Sequence, residues 1–242
     1  MFDETGPGML HSSAAFVRST DGAPAVRIAD GVAMGFMPGE QHVLTIDSTH
    51  DARTLVICPL GAGEPSRIDL GGLRCHFARP FLDGRSVAVV GNYPEKHMGL
   101  YRVEIPSGKC TKLTEHPMAM THPMPSPQGD IVLLRQPDGA FARFPVDGSQ
   151  PIVIPGLEKD ERPAGWTPDG SGIYVFRRGV MPSRIERLDL ITGRREPWIE
   201  LEPTTRSGAD TFISAWVTPD GERYVASYGQ YLSELFVVSG LT

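Results

Sequence analysis

Apolar positions come in short bursts along this chain, separated by polar, glycine-rich turns. Thr54-Leu55-Val56-Ile57, Ser86-Val87-Ala88-Val89-Val90, Ile131-Val132-Leu133-Leu134 and Ile173-Tyr174-Val175-Phe176 are rich in β-branched and aromatic residues. That composition suits a pleated, half-buried surface and predicts strands. The clearest stretch is Ala164-Gly165-Trp166-Thr167-Pro168-Asp169-Gly170-Ser171-Gly172-Ile173-Tyr174-Val175-Phe176, which reads as strand, tight Pro-Asp-Gly turn, strand. It is written again as Ala215-Trp216-Val217-Thr218-Pro219-Asp220-Gly221, followed by Tyr224-Val225-Ala226. Weaker copies turn at Gly39, Gly84 and Gly129, so the turn glycines at 39, 84, 129, 170 and 221 recur every 41 to 51 residues.

A second series keeps step with the first. Gly22, Gly63, Gly108, Gly148 and Gly193 also sit between apolar runs, and the last four trail a glycine of the first series by 19 to 24 residues. Two hairpins per period make four strands per period, the pattern of a β-propeller blade. The expected fold is therefore all-β, a β-propeller of four-stranded antiparallel blades. A β-sandwich also needs regular short strands, but it does not require alternate turns to repeat the same residue types.

Residues 1–13 are polar and glycine-rich and read as an irregular lead-in, with the repeats filling 14–242. Residues 14–28 form a partial unit, 29–70, 71–116, 117–156 and 157–203 form full units, and 204–242 forms a second partial one. Either the first hairpin completes the last blade, giving a ring of about five, or further blades belong upstream in a larger propeller.

Composition narrows the function. A net charge of −6 and a pI near 5.6 argue against nucleic-acid binding through bulk electrostatics. Arg177, Arg178, Arg184, Arg187, Arg194 and Arg195 cluster in sequence, and strand alternation makes them a solvated outer face. No apolar run approaches the roughly 18 residues of a membrane span, and the N-terminus lacks the basic and apolar regions of a signal peptide. Cys58, Cys75 and Cys110 make neither a disulfide framework nor a CxxC pattern.

Candidate chemistry is sparse. Gly170-Ser171-Gly172 lacks the spacing of a hydrolase nucleophile elbow. Asp83, Asp169 and Asp220 recur at turns, where Asp bonds its own backbone; channel acids holding a metal would be the competing use. His116-Pro117-Met118-Ala119-Met120-Thr121-His122-Pro123-Met124 combines thioethers and imidazoles suited to a soft metal, but its prolines and methionines read as a packed crossover loop. His76 and His97 are isolated. Trp166 and Trp216 precede like turns and are expected to be repeated inter-blade packing residues, with a binding rim as the alternative for any copy that is exposed. No catalytic, cofactor-binding or metal-binding set is assigned.

The repeats resemble the propeller units of TolB and its relatives, whose inner hairpin carries a Ser-Pro-Asp-Gly-like turn. Phe144-Pro145-Val146-Asp147-Gly148, the run from Arg184 to Glu196, and the terminal Tyr231-Leu232-Ser233-Glu234-Leu235-Phe236-Val237-Val238-Ser239-Gly240-Leu241 are similar to one group, the bacterial serine/threonine protein kinases that carry a TolB-like propeller. The chain has no glycine-rich nucleotide loop, Val-Ala-Ile-Lys, His-Arg-Asp or Asp-Phe-Gly, so kinase activity is not carried over. The resemblance implies a non-catalytic binding or sensor scaffold for a protein, peptide or small ligand. It would be cytoplasmic if it stands alone, and extracytoplasmic if it belongs to a membrane-anchored kinase. The competing reading is a propeller hydrolase or lactonase using channel carboxylates and a metal.

Overall fold

The computed structural model describes residues 1–5, 13–47, 52–116, 118–202 and 209–230, and every regular element among them is a strand. The chain divides into two compact units, Met1–Ile154 and Pro155–Thr242.

The first unit begins with a three-stranded antiparallel sheet of β1 (Phe2–Thr5), β2 (Ser13–Val17) and β3 (Val26–Asp30). β1 occupies part of the stretch whose composition marks it as irregular. Its strand form comes from pairing along β2, Phe2 opposite Phe16 through Thr5 opposite Ser13, rather than from local apolar alternation. Three four-stranded antiparallel sheets follow. They are β4 (Val32–Phe36), β5 (His42–Ile46), β6 (Thr54–Pro59) and β7 (Ser66–Asp69); then β8 (Arg74–Pro80), β9 (Ser86–Asn92), β10 (Gly99–Glu104) and β11 (Cys110–Lys112); then β12 (Met124–Pro125), β13 (Ile131–Arg135), β14 (Phe141–Pro145) and β15 (Ile152–Val153). The second unit holds a four-stranded sheet of β16 (Glu161–Trp166), β17 (Gly172–Arg177), β18 (Ser183–Asp189) and β19 (Arg195–Leu201), and a pair of β20 (Ala209–Val217) with β21 (Tyr224–Gln230).

Burial along the strands explains the architecture. The second strand of each four-stranded sheet is buried almost throughout, on both faces, whereas β7, β11 and β15 are mostly exposed. A strand buried on both faces must be covered from both sides. In β9, Val87 and Val89 join a core with Leu44, Leu55 and Ile68, while Ala88 and Val90 join another with Val132, Leu134 and Phe144. Successive side chains thus feed cores on opposite sides of one sheet. In the second unit, Tyr174, Phe176 and Ile185 pack on Phe212 and Ala215 in the same manner. Sheets stacked face to face in this way are propeller blades.

Each first hairpin closes through one repeated turn. The amides of Met37, Phe81, Ser126, Thr167 and Thr218 donate to carbonyls across the hairpin, and the residue three further on donates back to each of their carbonyls. That latter position is left-handed at Gly84, Gly129, Gly170 and Gly221, with φ between 64° and 74°. In the first copy it is Glu40, at φ 54°, so the sequence register that placed Gly39 there is one residue early. Glycine suits this conformation because it has no Cβ to clash.

Candidate functional site

The recurrent turn carboxylates serve their own turns. Asp169 accepts hydrogen bonds from Thr167 Oγ1 at 2.6 Å, the Ser171 amide at 3.1 Å and Ser171 Oγ at 2.8 Å. Asp220 accepts from Thr218 Oγ1 and from the Glu222 amide. Asp83 accepts from the Arg85 and Ser86 amides at 2.8 and 3.1 Å and from Arg102 Nη2 at 2.8 Å. The Thr167 hydroxyl bond, then the Ser171 bonds, hold Asp169 below the usual carboxylate range, and the Thr218 hydroxyl does the same for Asp220.

Around two of these turns the second unit forms a concavity of about 430 Å3, lined in part by Asp169, Ser171, Tyr174, Arg187, Arg194 and Asp220. The Arg187 guanidinium stands 5.6 Å above the Tyr174 ring, and Arg194 pairs with Glu196 at 3.1 Å. Gly221 is needed at its position: a Cβ there would lie 2.6 Å from the Tyr174 hydroxyl, and its φ is 71°.

A second concavity of the same unit, about 590 Å3, surrounds an ion-pair clamp. Arg195 donates through Nη1 to Glu161 Oε1 at 2.9 Å and to Glu186 Oε2 at 2.7 Å. Through Nη2 it donates to Glu161 Oε2 at 2.5 Å and to the Gly156 carbonyl at 2.6 Å. Glu161 also accepts from the Glu158 amide at 2.9 Å. The hydrogen bonds that Arg195 donates to Glu161 push its pKa above the ordinary value, against the opposing effect of burial. The arginine cluster is therefore not one solvated face. Arg177 pairs with Asp160 at 3.0 Å and Arg184 with Glu200 at 2.8 Å, while Arg195 is turned into the clamp.

A third concavity lies in the first unit, on the sheet of β8 to β11. It encloses about 820 Å3 and is lined by Tyr93, Lys96, His97, Met98, Tyr101, Cys110, Lys112, Glu115 and Met118. The loop between β9 and β10 is bent by the Lys96 amide donating to the Tyr93 carbonyl at 3.0 Å, with Glu95 left-handed at φ 59°. The rings of Tyr93 and Tyr101 meet edge to face at 5.8 Å. At Gly99 a Cβ would come within 2.8 Å of the Tyr101 ring, so glycine lets that ring lie across its own strand. Burial, then the Cys110 thiol beside it, pushes the Tyr93 phenol up, and burial raises Cys110 as well.

The remaining residues singled out from sequence are dispersed. Met118 is buried, Met120 is exposed, and the His122 ring packs on Phe77 at 4.2 Å. Pro117 and residues 231–241, which carry the terminal part of the kinase-group resemblance, lie outside the described residues. His76 Nε2 is 2.8 Å from Asn92 Oδ1. Cys58 and Cys75 are buried free thiols. Among the described residues no three His, Cys, Asp or Glu side chains converge as metal ligands. Trp166 and Trp216 are not equivalent. Trp166 lies opposite Ile173, next to its turn, and is 8% exposed. The matching position in the second copy is Val217, opposite Tyr224; Trp216 stands one residue earlier, on the other face, and is 41% exposed. A one-residue offset in a strand reverses the face.

Sequence reasoning did not find the Glu161–Arg195 clamp or the Tyr93–Tyr101 cavity. The one local signal for the latter was the loop Tyr93-Pro94-Glu95-Lys96-His97-Met98, which joins aromatic, basic and thioether side chains without a Gly-type tight turn.

Fold and comparisons agree on the class: an all-β propeller of TolB-like form. Superposed on TolB from Acinetobacter baumannii, the chain gives a TM-score of 0.63 at 12% identity, covering 91% of this chain and 61% of that one. A protein described as TolB from Agrobacterium tumefaciens gives 0.59 at 14% identity, covering 86% and 74%. Oligogalacturonate lyase from Vibrio parahaemolyticus gives 0.54 at 15% identity, covering 87% and 62%. The chain thus spans about three fifths of the first of these, and identities this low establish the fold alone. By sequence, no known family profile and no curated protein matches.

Proposed function

We propose that this chain is a non-catalytic binding scaffold, a propeller that presents its turns and loops to a protein, peptide or small ligand. The observation that carries the reading is the fate of the recurrent acids. Asp83, Asp169 and Asp220 accept bonds from their own turn backbones and from neighbouring side chains. Their lone pairs are engaged in architecture, and ionised, backbone-bonded carboxylates are poorly matched to proton transfer near neutral pH. Meanwhile the chain offers concavities of ligand size in both units.

The finer assignment, to the propeller portion of a bacterial serine/threonine kinase or a fragment related to one, is supported by the sequence resemblance of Arg184 to Glu196 and of residues 231–241. Its direct check is the DNA upstream of Met1, where an in-frame kinase domain is expected.

The scaffold reading is tested by incubating the protein with lactones, aryl esters and oligogalacturonates, with and without Ca2+, Mn2+ or Zn2+. The expected result is no conversion above the blank. Conversion that disappears in Asp169→Asn or Asp220→Asn would overturn the reading in favour of a propeller hydrolase, lactonase or lyase.

A further inference from the structure

We propose that the cavity over Tyr101 binds a carboxylate carried on an aromatic or branched apolar body. This deepens the scaffold reading and rests on it. The floor is apolar and largely shielded: Tyr101 is 5% exposed, Met118 is buried, and Met98 and Tyr93 are partly covered. The rim is cationic in a chain of net charge −6. Lys112 is engaged by Glu115. The Lys96 ammonium and His97 imidazole, both exposed on the bent loop, have no partner among the described residues. An apolar floor with a few polar groups at one side is the usual construction of a small-ligand site, and about 820 Å3 falls in the usual size range.

The three concavities differ in a way that decides among them. The 430 Å3 bowl is lined by more acids than arginines, with Asp169, Asp189, Glu196 and Asp220 against Arg187 and Arg194. The 590 Å3 concavity has its central cation already saturated by Glu161 and Glu186. At the Tyr101 cavity the unengaged charge is positive and sits beside apolar surface. A ring or branched side chain would contact the Tyr93 and Tyr101 rings and the two thioethers, while its carboxylate reaches the Lys96 ammonium. The same chemistry is offered by a free organic acid and by the C-terminal residue of a peptide.

The experiment uses the full chain, with amide chemical shifts as readout and acetyl-phenylalanine, acetyl-phenylalaninamide, acetyl-Ala-Ala-Phe with a free C-terminus, and inorganic phosphate as probes. Shifts confined to residues 93–101 and 110–118 are expected with both acids. Binding should weaken about fivefold in Lys96→Ala, the scale of an exposed charge contact, and weaken further in Lys96→Glu, whose exposed position leaves the fold intact. Tighter binding of the tripeptide supports the site and identifies a peptide terminus as its source; equal or weaker binding supports it and identifies a free acid. Equal binding of the amide, equal binding of phosphate, indifference to Lys96→Glu, or no shifts would each overturn the proposal while leaving the scaffold reading standing. Chemical conversion of a bound probe would overturn the scaffold reading and leave the site.

Discussion

Removing Arg195 should be far more damaging than its place on an outer strand implies. The Glu161 side chain is 6% exposed and the Arg195 side chain 26% exposed, so the pair is shielded from solvent. Arg195→Ala deletes two bonds to Glu161, at 2.9 and 2.5 Å, together with those to Glu186 and the Gly156 carbonyl. What remains for Glu161 is the Glu158 amide at 2.9 Å and Arg177 Nη2 at 3.7 Å, the latter beyond hydrogen-bond range. Breaking a buried pair by removing one partner costs about 3–5 kcal/mol, because a buried charge is left uncompensated. The residual Glu158 bond and the distant Arg177 charge place the expected loss toward the lower end, near ~3 kcal/mol. Replacing both partners together, as Glu161→Leu with Arg195→Met, removes the orphaned charge and should recover most of that loss. Urea unfolding followed by tryptophan fluorescence, with the two single variants and the double variant closing a cycle, measures the coupling. A loss below about 1 kcal/mol for Arg195→Ala would mean the clamp behaves as an ordinary surface pair, and the reasoning from burial would fail.

Trp166→Ala should cost about 3–5 kcal/mol, whereas Trp216→Ala, on a partly exposed site where solvent fills the space, should cost about 2 kcal/mol; equal losses in urea unfolding would refute the offset between the two copies. Glu40→Gly relieves the one non-glycine residue at the repeated left-handed turn position and should stabilise by about 0.5–1 kcal/mol, while Gly84→Ala, at φ 64°, should destabilise by about 1–2 kcal/mol. Desolvation on the Phe77 ring, with the Arg79 cation adding to it, holds His122 below the ordinary imidazole pKa, at about 4. The folded chain therefore resists a proton that the unfolded chain accepts, so this residue's contribution to stability falls as pH drops below about 6.5. A His122 resonance titrating at or above 6.5 by NMR would contradict this.

Much of the blade pattern could be read from the chain because both turn series are written in residues whose conformational role is local. Gly84, Gly129, Gly170 and Gly221 are left-handed in the structure, and glycine advertises that need in any sequence. Where the local code is broken, the reading slips. Gly39 drew the register one residue early because the left-handed position is filled by Glu40. Trp166 and Trp216 looked alike because both precede Thr-Pro-Asp-Gly, yet one adjoins its turn and the other is one residue further away. The strand at Phe2–Thr5 is fixed by its partner β2, and pairing of that kind leaves little trace in a four-residue polar stretch. The Glu161–Arg195 clamp joins residues 34 positions apart across one sheet. In the ladder Glu161 is registered with Arg177 and Arg195 with Leu188, so the two meet only through their side chains, and no local pattern announces the contact.

This division between local and non-local determinants also bears on where function can reside in such a chain. The first-hairpin turns are constrained by their own hydrogen bonding: each must bring a strand back and hold a residue in the left-handed region. An Asp serving that purpose is kept ionised by the bonds it accepts, as Asp169 and Asp220 are. It therefore has little freedom to act as an acid or to change identity without cost to the hairpin. The loop between β9 and β10 has a turn bond of its own, from the Lys96 amide to the Tyr93 carbonyl, and a left-handed Glu95, but the Lys96 and His97 side chains take no part in either. It spans residues 93–98 between two strands already registered by six paired positions, Gly91 with Gly99 through Ser86 with Glu104. Lys96 and His97 can change there without disturbing the ladder beneath them. Recognition is therefore better sought where a well-determined pair of strands supports an under-determined loop, and the Tyr101 cavity is such a place.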